Sequence, residues 1–239
     1  MSKLTLHGAK AATAATAKSD IVVVPLFKNE DLSRSSSEIN AAAGDVLQRA
    51  ITIGDADAKL GKITTMVGSG NITRIMSVGC GDRASFNLEA QLSVTGAVSR
   101  ALASSKAKNA IVVGDPIADD KDALTQFLEF LGRDMAMACY HYTATLGTPK
   151  PGPTFSKLTV AVDGISAAKA KQSLSVGATI GNGANLTREL VNLPGNVCTP
   201  SYLAKEGRAL GRKYDKLSVS VLDEKKMASM GMGLSLIHI

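Results

Sequence analysis

Ile21-Val22-Val23-Val24-Pro25 is the stretch that decides the fold class of this 239-residue chain. A run of β-branched residues is typical of a buried strand, because branched side chains pack well on a pleated surface. A polar loop over residues 28–37 follows. Beyond it, apolar residues recur at helical spacing on one face, at Ile39, Ala42, Ala43, Val46, Leu47 and Ala50. The segment therefore predicts a strand, a loop and one helix, in that order.

The same alternation of strands and helices continues as far as residue 162. Two extended runs, 63–67 and 74–78, flank Gly68-Ser69-Gly70-Asn71, whose glycines accept the positive φ of a tight reversal, so they predict a hairpin. Helices are predicted over 88–102 and from Asp119-Asp120 onwards, and further strands over 109–113 and 158–162. This order is typical of an α/β fold with a mixed, largely parallel sheet covered by helices on both faces.

The composition changes at Ser166, and we place a domain boundary just before it. An Ala-, Gly- and Ser-rich helix is predicted up to about Asn192, followed by a helix after Thr199-Pro200-Ser201, a strand over 217–222 and a short helix over 223–230. One strand and a few helices cannot close a core, so a second domain begins here and is not completed. Residues 1–19 are predicted to be a flexible leader.

Composition excludes several classes of protein. No apolar run approaches the roughly 18 residues that span a bilayer, so we expect a soluble, cytoplasmic chain with no membrane partner. The formal charge of +6 is spread thinly and is not interleaved with aromatic residues, which disfavours a nucleic-acid platform. Three cysteines at Cys80, Cys139 and Cys198 show no paired spacing and predict neither disulfides nor a thiolate zinc site.

No local motif predicts an active site. The glycine-rich turns Val67–Gly70 and Val78–Asp82 complete no phosphate-binding fingerprint, so tight turning is the better interpretation. Residues 39–44 resemble the Asn-Ala-Ala-Asn run of macro domains, but their apolar spacing is helical. The three histidines, His7, His141 and His238, lack any paired metal-ligand spacing.

The segment Asn185–Ala204, NLTRELVNLPGNVCTPSYLA, resembles the signature with which leucyl (cytosol) aminopeptidases enter their catalytic domain. Similarity to the family extends over about residues 20–234. It implies a macro-like N-terminal domain over 20–165 and a linker helix with the start of an α/β catalytic domain over 166–233. It also implies a homo-hexamer that removes N-terminal residues from peptides with two divalent ions, zinc, manganese or magnesium, held by lysine, aspartate and glutamate.

The family's metal ligands are not found in this chain. Its only Gly-Lys pair is Gly61-Lys62, in the first domain, and Lys205-Glu206-Gly207-Arg208 is only a coincidental echo of a second family motif. We therefore assign no catalytic, cofactor-binding or metal-binding residue, and expect the chain alone to be inactive and metal-free. Residues 234–239 depart from the family pattern and predict an artefactual or truncated terminus.

Two alternatives remain open at this stage. The chain could instead be a non-catalytic module that binds nucleic acid or directs oligomer assembly, which salt-dependent DNA binding by residues 1–165 would support. Alternatively, the glycine turns could bind a nucleotide or ADP-ribose.

Overall fold

The computed structural model describes residues 4–117 and 120–233, which belong to two compact units, Met1–Thr187 and Arg188–Ile239. The strands are β1 (Thr5–Ala9), β2 (Ile21–Phe27), β3 (Ile63–Val67), β4 (Arg74–Gly81), β5 (Asn109–Val113) and β6 (Lys157–Ala161). The helices are α1 (Thr13–Thr16), α2 (Arg34–Ala42), α3 (Val46–Thr52), α4 (Leu88–Ser104), α5 (Lys121–Ala138), α6 (Ala167–Asn192), α7 (Pro200–Lys213) and α8 (Glu224–Ser229).

A single six-stranded sheet in the order β1-β6-β5-β2-β4-β3 organises the first unit. All neighbouring strands are parallel except β3 and β4, which form the predicted antiparallel hairpin. The α/β fold with a mixed, largely parallel sheet is therefore confirmed. The whole of β2 is buried, because it lies between β4 and β5 and is covered on both faces.

Two hydrophobic cores lie on opposite faces of this sheet. Alternate residues of β2 contribute to each, Ile21 and Val23 to one core and Val22 and Val24 to the other, since successive side chains of a strand point to opposite faces. The first core contains buried residues of α4, α5 and α6, and the second contains residues of α1, α2 and α3.

The predicted single helix over residues 39–50 is wrong, because the chain breaks it into α2 and α3. Gly44 and Asp45 both have positive φ, 79° and 56°, which no continuous α-helix accommodates. The break is stabilised by Asn40, whose Oδ1 accepts hydrogen bonds from the backbone N–H groups of Leu47 and Gln48 at 3.0 and 3.1 Å. A buried asparagine thus caps the first turn of α3 from the preceding helix.

The prediction of a flexible leader over residues 1–19 is wrong for residues 5–9, which form the edge strand β1. This strand pairs in parallel with β6 from Thr5 to Ala9, and Leu6 packs against the first core. Gly8 is required there, since a Cβ at this position would overlap the backbone carbonyl of Ala167. The strand has no β-branched run, so its sequence carries little strand signal.

Helix α6 packs on α5 at very short range through glycines on both helices. A Cβ at Gly177 would overlap the carbonyl oxygen of Glu129, and a Cβ at Gly132 would overlap that of Leu174. Near the end of this contact, the side chain of Asn185 donates a 2.9 Å hydrogen bond to the carbonyl of Ala136. The long helix is therefore held along much of its length by α5.

The division between the two units falls inside α6, between Thr187 and Arg188, rather than before Ser166 as the sequence suggests. The physical reason is the α5 contact, which makes the first part of α6 belong to the first unit. In the second unit, the predicted strand over residues 217–222 is not formed, and neither α7 nor α8 contains a buried residue. Residues 234–239, predicted as an atypical tail, lie outside the described residues.

Among the described residues, no helix has both the length and the apolar character needed to cross a membrane.

We expect Gly177→Ala to lower the free energy of unfolding by about 2 kcal/mol, because the added methyl group must push α6 away from α5. Urea denaturation followed by circular dichroism measures this change. Gly183→Ala is the matched control in the same helix, where an added Cβ meets nothing within 4 Å, and it should raise stability by about 0.5 kcal/mol. Equal effects of the two substitutions would contradict the close helix contact.

Candidate functional site

Folds of the α/β class bind ligands in the crevice outside the carboxyl edge of their parallel strands. Here, a carboxylate follows the end of each of four strands, Glu30 after β2, Asp82 after β4, Asp115 after β5 and Asp163 after β6. Two of them are committed to the backbone. Asp82 accepts from the N–H of Ala84 at 3.0 Å, and Asp163 accepts from the N–H of Ala11 at 3.1 Å.

Glu30 and Arg83 form a bidentate ion pair. Arg83 Nε donates to Glu30 Oε1 at 2.7 Å, and its Nη2 donates to Oε2 at 2.8 Å and to the carbonyl of Pro116 at 3.0 Å. The hydrogen bonds from Arg83 hold the pKa of Glu30 below its usual value. The guanidinium also lies 3.8 Å from the centroid of the Phe27 ring. Arg83 therefore joins the loops that follow β2, β4 and β5.

Asp115 is the least satisfied carboxylate at this edge. Its Oδ2 accepts a short hydrogen bond from Ser35 Oγ, whereas its Oδ1 is buried and has no partner among the described residues. Burial raises the pKa of Asp115, and the nearby carboxylates of Asp163 and Glu38 raise it further, against the lowering effect of the Ser35 bond. Metal binding requires the ionised form of a carboxyl, and burial disfavours that form at Asp115.

The glycine-rich turns use their amide groups within the protein. Gly79 N–H donates to Lys62 O at 2.9 Å and Gly81 N–H donates to Ala58 O at 2.7 Å, while Gly68 N–H donates to Thr73 O at 3.0 Å. A Cβ at Gly79 would overlap the carbonyl of Lys59, so this glycine allows two backbone segments to approach. These amides are unavailable to a phosphate, and Asn40 of the macro-like run is the helix cap described above.

The remaining reactive side chains are dispersed. Burial raises the pKa of the Cys80 thiol to about 12 and that of Cys139 to about 11, so both stay protonated and unreactive. His141 lies at the protein surface with Nε2 2.7 Å from the carbonyl of Lys150. In residues 4–117 and 120–233, no group of three or more His, Cys, Asp or Glu side chains could hold a metal ion.

The signature segment Asn185–Ala204 spans the end of α6, a turn and the start of α7. The N–H groups of Val197 and Cys198 both donate to the carbonyl of Pro194, at 2.8 and 2.9 Å, which closes the turn. Thr199 then caps α7 by accepting from the N–H of Tyr202 at 3.3 Å, and Pro200 occupies the first turn, where its missing donor is not needed. These contacts give the turn and the start of α7 a structural role in this chain.

Neither echo of the metal-binding motifs contributes to a site. Lys62 of the Gly61-Lys62 pair forms a 2.8 Å ion pair with Asp57, and Gly61 adopts a φ of 72° in the turn before β3. Lys205–Arg208 lie on the exposed helix α7. The sequence predicts no site residue, and in the described part of the chain the carboxylates at the sheet edge do not form a group that could hold a metal ion. The Arg83 cluster and the Asp115–Ser35 pair, which the sequence analysis missed, hold the loops together.

Two family models match the chain. The N-terminal domain of the cytosol aminopeptidase family matches residues 23–147, and the catalytic domain of the same family matches residues 185–237. A probable cytosol aminopeptidase of Alkalilimnicola ehrlichii is 32% identical over 231 residues, which cover 95% of this chain and 46% of that protein. One from Paraburkholderia xenovorans is 33% identical over 225 residues, covering 91% and 43%. The chain thus spans about half the length of these relatives.

Solved structures share the fold. A tomato leucine aminopeptidase variant superposes with a TM-score of 0.78 at 19% identity, covering 96% of this chain and 46% of that one. The bottromycin maturation enzyme BotP, in a complex with manganese, gives a TM-score of 0.65 at 16% identity and covers 89% and 40%. At these identities, the likeness shows the fold alone.

We expect Arg83→Lys to lower the free energy of unfolding by about 1 kcal/mol, because lysine keeps the charge but loses the fork to Glu30 and the contact with Phe27. Chemical denaturation measures it. The control is Arg34→Lys, in an ion pair with Glu38 where the arginine side chain is 94% exposed, and it should change stability by less than about 0.5 kcal/mol. If Arg34→Lys lowered the free energy of unfolding as much as Arg83→Lys, the conclusion that Arg83 holds the three loops together would be contradicted.

Asp115→Asn should remove a pH dependence of folding. The folded carboxyl has a pKa above its ordinary value of 3.8, so the native state holds this proton more tightly than the unfolded chain, and stability is lost as pH rises from 3.8 through the folded pKa. Asparagine cannot ionise, so the stability of the variant minus that of wild type should increase across this window. Urea denaturation at several pH values tests this. A difference that is constant with pH would contradict it, since any fixed cost of the amide is independent of pH.

Proposed function

The chain belongs to the cytosol aminopeptidase family, and on that premise we propose that it is the N-terminal part of a metal-dependent leucyl aminopeptidase that removes N-terminal amino acids from peptides. The observation that carries the proposal is the order of the two family matches. The N-terminal domain matches residues 23–147 and the catalytic domain begins at residue 185, at the start of the signature segment. One chain therefore carries both parts in the family's order.

Metal binding by the complete enzyme is a separate part of the proposal. The family is metal-dependent, but the carboxylates at the sheet edge are engaged by Arg83, Ser35 or backbone amides, and no described group of side chains suits even one ion. The residues present do not fit a two-metal centre of manganese, zinc or magnesium. We propose that the ligands belong to the part of the family's catalytic domain that lies outside the match to this chain, so that the chain alone binds no metal and is inactive.

The role of this chain in the enzyme is to build the N-terminal domain and lead into the catalytic domain. Helix α6 is fixed on α5 by the contacts at Gly132, Gly177 and Asn185, and it continues into the second unit. That unit exposes several large apolar side chains, including Leu203, Leu217, Val221 and Met230. Exposed apolar side chains of this kind are expected where a segment packs against another part of the complete protein.

The family resemblance extends the proposal to the assembly and location of the complete protein. We propose a homo-hexamer that acts on peptide substrates in the cytoplasm. Nucleic-acid binding or oligomer assembly by residues 1–165 remains an alternative prediction, and its test is DNA binding that weakens steeply as salt is raised.

The test of the proposed function compares two proteins supplied with the same metal ions. A protein in which this chain continues through a complete catalytic domain should hydrolyse leucyl p-nitroanilide after incubation with manganese or zinc, and a chelator should abolish the activity. The 239-residue chain, treated identically, should show no turnover above the buffer rate.

Turnover by the purified chain alone would overturn the assignment of the metal ligands to another segment. An inactive complete protein that is folded and hexameric would overturn the peptidase proposal itself. Intact mass spectrometry of the native protein, captured with antibodies against residues 20–165, gives its length independently of activity.

A further inference from the structure

One face of the sheet is partly open near its amino edge. His7, Thr159 and Ile111 lie side by side on β1, β6 and β5, in parallel register, so their side chains share one face. Ile111 belongs to the second core, which places this row on the face covered by α1, α2 and α3. Helix α1, which contacts β5 on this side of the sheet, has only four residues. A cavity of about 240 Å³ remains between the sheet and this short helix.

The polar lining of this cavity is rich in hydrogen-bond donors and contains no carboxylate. It consists of His7, Thr13, Lys18, Asn109, Lys157 and Thr159, and the other lining residues are alanines and Ile111. Two ammonium groups, two hydroxyls and an amide are therefore available at one place. The lining therefore offers no negatively charged ligand for a cation, but it offers two positively charged groups for an anion.

Neighbouring groups keep the donors available. Asp20 Oδ2 accepts from the backbone N–H groups of Lys108 and Asn109, at 2.8 and 3.3 Å, and within the described residues Asp20 forms no ion pair with Lys18 or Lys157. Asn109 Oδ1 accepts from the N–H of Asp20 at 3.1 Å, which leaves its amide nitrogen to donate. Among the described residues, neither Lys18 nor Lys157 forms an ion pair.

The electrostatics of His7 agree with an uncompensated positive charge. Burial lowers the pKa of His7, and the charges of Lys157 and Lys171 lower it further. The lowered pKa favours the uncharged imidazole, which offers one N–H donor beside the two lysines of the cavity.

We propose that this cavity binds a phosphate-class oxyanion, either inorganic phosphate or the phosphoryl group of a small phosphomonoester. Lysine recognises phosphate as a mobile point charge, and hydroxyl and amide donors complete the contacts to its oxygens. The cavity is smaller than the roughly 300–1,000 Å³ of pockets that take larger organic ligands, which favours a small anion. The site is independent of the peptidase proposal, since it involves neither metal ions nor the catalytic domain.

Isothermal titration calorimetry with inorganic phosphate, at low ionic strength and about pH 7, tests the proposal on the intact chain. The double substitution Lys18→Gln/Lys157→Gln should raise the dissociation constant for phosphate by at least about tenfold, because each lost ammonium group removes a charge-assisted hydrogen bond. Both side chains are exposed, so the variant should fold normally, which a thermal melt verifies.

The matched control is Lys28→Gln/Lys216→Gln, which removes the same net charge from two exposed lysines that do not line the cavity. Its phosphate affinity should stay within about twofold of wild type. An equal loss in both double variants would show a general charge effect and overturn the site. So would the absence of binding by wild type at about 10 mM phosphate.

His7 supplies a readout that does not depend on affinity. Bound phosphate should offset the lysines and raise the pKa of His7, which NMR titration of the imidazole follows, with His7→Asn used to assign its signal. The Lys18→Gln/Lys157→Gln variant should show no phosphate-dependent shift. A wild-type pKa unaffected by saturating phosphate would place the anion elsewhere and overturn the proposal.

Glycerol 3-phosphate in a parallel titration distinguishes the two sources of the phosphoryl group. Binding at least about threefold tighter than inorganic phosphate identifies a phosphomonoester as the ligand class, and equal or weaker binding identifies the free ion. Either result must be abolished by the Lys18→Gln/Lys157→Gln variant, and persistence in that variant would overturn the assignment of the cavity.

Discussion

The close contact between α5 and α6 is the constraint on which the arrangement of the chain depends. At Gly132 and Gly177, the backbone of one helix occupies the space that a side chain on the other would fill. Such an approach gains dispersion contacts along the whole interface and leaves no room for adjustment, since packed interiors are dense and resist strain. As a consequence, α6 belongs to the first unit as far as Thr187.

This contact also involves the first residue of the family signature. Asn185 is the first residue of the signature, and its side chain is already bonded to the carbonyl of Ala136 on α5. The turn at Pro194 and the cap at Thr199 then redirect the chain into α7. Asn185, Pro194, Thr199 and Pro200 of the signature are therefore explained by helix packing, turning and capping.

The parallel strands begin at one edge of the sheet and end at the other, and the polar side chains at the two edges are engaged differently. Glu30, Asp82, Asp115 and Asp163 follow strand ends, and all four are engaged by a serine, an arginine or backbone amides. At the other edge, Lys18 and Lys157 border an open cavity without ion pairs among the described residues. At the carboxyl edge, where α/β folds usually bind ligands, the carboxylates are thus hydrogen-bonded within the protein. The amino edge, with its two lysines beside a cavity, is the better place for a ligand.

The sequence by itself determined the strands with β-branched runs, the hairpin, the long helices and the family, because each is encoded locally by residue type, by period or by an uninterrupted motif. Only the tertiary structure decided that residues 5–9 form a strand, since β1 depends on pairing with β6, which is distant in sequence. The break at Gly44 and Asp45 and the position of the unit boundary were likewise decided by contacts with Asn40 and α5. The Arg83 cluster and the phosphate-class cavity unite residues far apart in the chain, and no local pattern could place them together. Local propensity fixes what a segment can become, whereas long-range packing decides where it lies and which side chains it meets.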